Sequence, residues 1–109
     1  MRIFSMVMLF SLVSAASARA AVDKKTERTW KAKCASCHGG DGKGQTDQGQ
    51  KMHLEDMTRP EWQKSKTDAQ LKAAIENGIK KDAAEMDPYK DKLEPAQIDA
   101  LVAYVRTLK

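Results

Sequence analysis

Apolar positions recur along this chain with helical spacing and nowhere alternate as a strand would. Ile98, Leu101, Val102, Val105 and Leu108 fall at offsets 0, 3, 4, 7 and 10, one face of an α-helix, and Pro95 sits well at its first turn. Leu71, Ala74 and Ile75 mark a second helix. Thr67 and Gln70 open it with a capping-box spacing, and Gly78 can end it. A third runs from an Asp23 cap toward Cys34, with Trp30 as its one large apolar residue. A shorter helical turn begins near Pro60 and holds Trp62. The expected fold is therefore all-α, with three main helices plus a short one. Gly39 to Asp56 and Ile79 to Lys92 remain as long irregular stretches. Segments of that length are uncommon in a compact domain unless they wrap something or carry function.

The beginning of the chain follows another rule. Met1-Arg2 gives a positive start, Ile3 to Val13 an apolar run broken only by Ser5 and Ser11, and Ala18-Arg19-Ala20 an A-x-A cleavage triplet. Residues 1–20 read as a cleaved export signal and residues 21–109 as one domain. The apolar run falls short of the roughly 20 residues of a bilayer span, so no stable membrane span is expected after cleavage. This leader holds both phenylalanines and three of the six methionines, which leaves a thin core behind. A single core of this size contributes little net stability, so a bound cofactor is the expected source of apolar volume. Removing Arg2 and Arg19 takes the net charge from +4 to +2, with lysines and acids interspersed. Nucleic acid is not an expected partner.

Cys34-Ala35-Ser36-Cys37-His38 is C-x-x-C-H, the attachment signature of a c-type haem. Each thiol adds to one porphyrin vinyl group, the turn between them sets the sulfur separation, and the adjacent imidazole reaches the iron. Two alternatives stand beside this reading. A thioredoxin-like thiol pair wants a strand before the motif and a parallel sheet around it. A zinc site needs further ligands, and His53 is the only other histidine.

With these residues the chain resembles the small class I monohaem cytochromes c of bacteria. The resemblance runs through Cys34 to Gly44, Gly78 to Pro88 and Leu101 to Arg106. It implies a fold in which the first and last helices cross, Trp30 meeting the Leu101, Tyr104 and Val105 region, with one covalently attached haem c in a crevice. It also implies Met86 as the sixth ligand opposite His38. A core-filling role for Met86, or His53 as a competing ligand, would be the alternative. Asp87 intervenes before Pro88, where family members commonly have proline directly after the methionine. No proline lies between His38 and Pro60 to supply the carbonyl that commonly accepts from the ligating imidazole. Arg59 and Trp62 are candidates to bond the haem propionates.

The implied function is that of a monomeric one-electron carrier, periplasmic or otherwise exported, shuttling between redox protein partners. Lys43, Lys80 and Lys81 are candidates to steer it toward an acidic partner. The competing class is a haem enzyme or gas sensor whose iron is five-coordinate or whose methionine leaves readily.

Overall fold

The computed structural model describes residues 23–109, and the proposed leader, 1–20, lies outside them. Its elements are α1 (Lys24–Lys33), α2 (Ala35–His38), α3 (Asp47–Lys51), α4 (Pro60–Ser65), α5 (Asp68–Asn77), β1 (Ile79–Lys81), β2 (Ala84–Met86) and α6 (Pro95–Thr107). Among the described residues no helix is long and apolar enough to cross a membrane.

Local chemistry sets the helix ends. The Asp23 carboxylate accepts from the Thr26 amide at the start of α1. Thr67 and Gln70 form the reciprocal capping box of α5, and Glu94 and Gln97 form another at α6, behind which Pro95 takes the first turn. The core lies where α6 packs on α1 and α5, with Trp30, Leu71, Ile75, Ile98, Leu101, Val102 and Val105 all buried. Trp30 stacks at a tilt on Tyr104, ring centroids 5.1 Å apart. Arg106 extends from α6 to Asp68, to the Gln63 side chain, and to the carbonyls of Gln63 and Lys66, which ties the α4–α5 junction to the last helix. No large side chain among the described residues is completely enclosed, so the protein part of the core is as thin as the composition implies.

Two elements depart from the expected pattern. The Gly39–Asp56 stretch contains α3, whose N-terminus is capped by the Thr46 hydroxyl. Its residues Asp-Gln-Gly-Gln-Lys carry no apolar periodicity that would announce a helix. The Ile79–Lys92 stretch contains a two-stranded antiparallel ribbon, pairing Ile79 with Met86, Lys80 with Glu85 and Lys81 with Ala84. The expectation of no strand is corrected here. The strands are three residues each, too short to show alternation, and such a ribbon depends on the rest of the molecule for its stability. Asp82, at φ 54°, makes the turn, and the opposed charges of Lys80 and Glu85 face each other across the strands.

Candidate functional site

The C-x-x-C-H segment starts where α1 stops. The Cys34 amide still donates to the Trp30 carbonyl, and α2 then turns so that the amides of Cys37 and His38 both donate to the Cys34 carbonyl, at 3.3 and 2.9 Å. This single turn places both thiols and the imidazole on one wall. Neither cysteine is in a disulfide. Beneath the turn the Trp30 indole donates to the Gly39 carbonyl at 3.1 Å, and its ring lies 5.9 Å from that of His38.

Neighbouring segments lock the turn in place. The Thr46 hydroxyl donates to the Cys37 carbonyl at 2.7 Å and accepts from the Gly49 amide at 2.9 Å. Gly49 packs so closely on this segment that a Cβ there would meet the Gly44 carbonyl and, at 2.6 Å, the Cys37 carbonyl. On the other wall Gly78 lets α5 end with φ 72° and ψ −179°, and a Cβ there would collide with the Met86 carbonyl.

Between the walls runs a crevice in two adjoining lobes, of about 380 Å³ and about 510 Å³. Cys34, Cys37, His38 and Met86 all line the smaller lobe. His38, Met52, Leu54, Ile79 and Ala84 line both, and Trp62 and His53 line only the larger. Ile79, the one exposed large hydrophobic residue among those described, lines both lobes.

Other candidates fall elsewhere. Arg59 is not among the lining residues and pairs with Glu61 at 3.8 Å. Of the three candidate steering lysines only Lys81 lines the crevice, whose borders also carry Lys33 and Lys66 beside Glu55, Asp82, Glu85 and Asp87. Thr46, Gly49 and the contact of Gly78 with the Met86 segment escaped the sequence reading. The T-x-x-G spacing from Thr46 to Gly49 is the one local signal of a cap.

Electrostatics fit an apolar iron ligand set. Burial holds the His38 imidazole below its ordinary pKa, which favours the neutral form that a metal ligand needs. Its Nδ1 is buried without a hydrogen-bond partner, in keeping with the missing proline after the motif. Burial pushes the Cys34 thiol up to about 11, opposite to the depressed thiolate of a redox-active pair. The only sheet among the described residues is the small antiparallel ribbon, so the thioredoxin-like alternative lacks its frame. No group of three or more Cys, His, Asp or Glu side chains among the described residues is arranged to hold a metal ion, so the zinc alternative lacks a complete ligand set. The residues fit a flat apolar group held by two thiols and one imidazole, with a thioether also facing the space.

Comparison with known proteins agrees. The family model described as cytochrome c oxidase, cbb3-type, subunit III, matches residues 21–105. A solved structure titled KustC0563 c-type cytochrome is similar at 32% identity and a TM-score of 0.70, covering 77% of this chain and 96% of that one. A tyrosine-to-phenylalanine mutant of that protein is similar at 32% identity and a TM-score of 0.68, covering 77% and 98%. No curated protein matches the chain.

Proposed function

The chain belongs to the small monohaem c-type cytochromes, and on that premise we propose that it is an exported one-electron carrier whose haem is held by Cys34 and Cys37 and ligated by His38 and Met86. Membership of this family implies covalently attached haem c and supports haem-based electron transfer. When bound, haem c supplies a couple that exchanges one electron at a time.

The observation that carries the residue assignment is the convergence of Cys34, Cys37, His38 and Met86 on one lobe of about 380 Å³. The α2 turn presents both thiols together, so that two thioethers would hold the group in one orientation. Burial lowers the His38 pKa and so favours the neutral imidazole, the form that would ligate iron. Met86 would offer a soft sulfur from the ribbon, which would favour the reduced iron, so a positive reduction potential is expected. Were His38 and Met86 both to ligate the iron, no place for a substrate would remain, and the chemistry supplied would be electron exchange. Periplasmic export rests on the leader at residues 1–20. A small, weak interface with redox protein partners suits a carrier that must leave quickly.

The assignment is tested on protein exported through a haem-attachment pathway. We expect the mass of the mature chain plus one haem, and a ferric methionine-to-iron charge-transfer band that vanishes in Met86→Ala. Rapid carbon monoxide binding by the ferrous wild type would instead favour the enzyme or sensor class.

A further inference from the structure

The two walls of the crevice are joined by few polar contacts. Among the described residues only one hydrogen bond links residues 33–38 to the segment 79–93: the Tyr89 hydroxyl donates to the Lys33 carbonyl at 3.2 Å. That carbonyl belongs to the last turn of α1, where helix geometry leaves acceptors without amide partners, and it immediately precedes Cys34. Tyr89 stands three residues after Met86, half-buried against the core and lining the same lobe as both. Its own amide is fixed to the end of α5 by the Ile75 carbonyl at 2.9 Å, and the Lys92 ammonium lies 5.4 Å from its ring centroid. The backbone of Tyr89 is thus anchored on one wall while its side chain holds the other.

We propose that Tyr89 is a positioning residue that clasps the Met86 segment to the Cys34 wall and so sets how readily Met86 leaves the iron. The inference rests on Met86 being the axial ligand. The ribbon is short and carries an exposed turn at Asp82, so it is the part of the site with the least support of its own. Loss of Met86 requires its segment to move outward. A hydroxyl that must break its bond to Lys33 before this happens opposes the motion and leaves the covalent attachment at Cys34 and Cys37 untouched.

Tyr89→Phe removes the hydroxyl and keeps the ring with its packing and its Lys92 contact. The measurement is the rate at which imidazole binds ferric holoprotein, followed by loss of the methionine charge-transfer band, with mass spectrometry confirming intact haem attachment. The expected result is binding faster by roughly two- to tenfold, the worth of one ordinary hydrogen bond. In a Met86→Ala background, where nothing need be released, the same change should have no effect on imidazole binding. An unchanged rate in the single variant overturns the clasp. So does equal acceleration in the Met86→Ala background, which would show general loosening. If Met86→Ala alone leaves the band intact, the ligand assignment fails and the clasp with it, an outcome distinct from the other two.

Discussion

Gly78→Ala perturbs the Met86 segment from behind, through its backbone, without altering any side chain that lines the crevice. The glycine has φ 72° and ψ −179°, a region occupied almost only by glycine, and forcing alanine into it costs about 1 to 3 kcal/mol. The methyl group would also strike the Met86 carbonyl and lie 2.9 Å from the Pro88 nitrogen. Both are backbone atoms, so no side chain can swing aside, and the segment carrying Met86 must itself shift. Alanine lowers the entropy of the unfolded chain and returns about 0.4 to 1 kcal/mol, which leaves a net conformational cost of up to about 2.6 kcal/mol, to which the clash adds. The displacement should fall on the proposed iron–sulfur contact. The expected outcome is a weakened ferric charge-transfer band and faster carbon monoxide binding to the ferrous form, with the urea midpoint lowered and covalent haem retained. Gly40→Ala is the control, because a Cβ there meets nothing within 4 Å and its φ is not positive. A Gly78→Ala protein matching the Gly40→Ala control in band, ligand binding and urea midpoint would refute this reasoning.

Three further outcomes are expected. Trp30→Phe removes the indole N–H from the buried Gly39 carbonyl and leaves a gap against Tyr104, and urea unfolding of the holoprotein should show a loss of about 2 to 4 kcal/mol. Thr46→Val deletes both the α3 cap and the bond to the Cys37 carbonyl; about 1 to 2 kcal/mol should be lost, whereas Thr107→Val, at an exposed hydroxyl, should stay within about 0.5 kcal/mol. Before haem attachment the Cys34 thiol binds its proton more tightly when folded, so its contribution to stability is fully present below the ordinary thiol value of 9.0 and is lost as pH rises toward about 11. That contribution amounts to about 2 to 3 kcal/mol. In a haem-free chain shown by circular dichroism to be folded, iodoacetamide alkylation of Cys34 should titrate near the upper value, and a midpoint near 9.0 in that folded chain would contradict the buried placement.

The residues that announce themselves in this sequence act over short distances. Asp23 with Thr26, Thr67 with Gln70, and Pro95 at the start of α6 each fix a helix end within three or four positions, and each is found where local chemistry puts it. The helical offsets of Ile98, Leu101, Val102 and Val105 likewise predict a buried face, because one period governs both spacing and burial. C-x-x-C-H was legible for the same reason, since attachment needs two thiols and an imidazole within one turn. What was not legible depends on partners far along the chain. Gly49 reads as a weak helix residue until the Cys37 carbonyl is seen against it, and Gly78 reads as a stop signal until Met86 returns beside it. Tyr89 reaches Lys33 across 56 positions, a pairing that no local spacing encodes. The ribbon is the extreme case. Its strands carry Lys80, Lys81 and Glu85 and no helical or alternating signature, yet they bring Met86 to the same lobe as His38. Its form follows from where α5 ends, from the turn at Asp82 and from the wall opposite, so the methionine side of the site is specified by tertiary contact while the histidine side is specified by the motif itself.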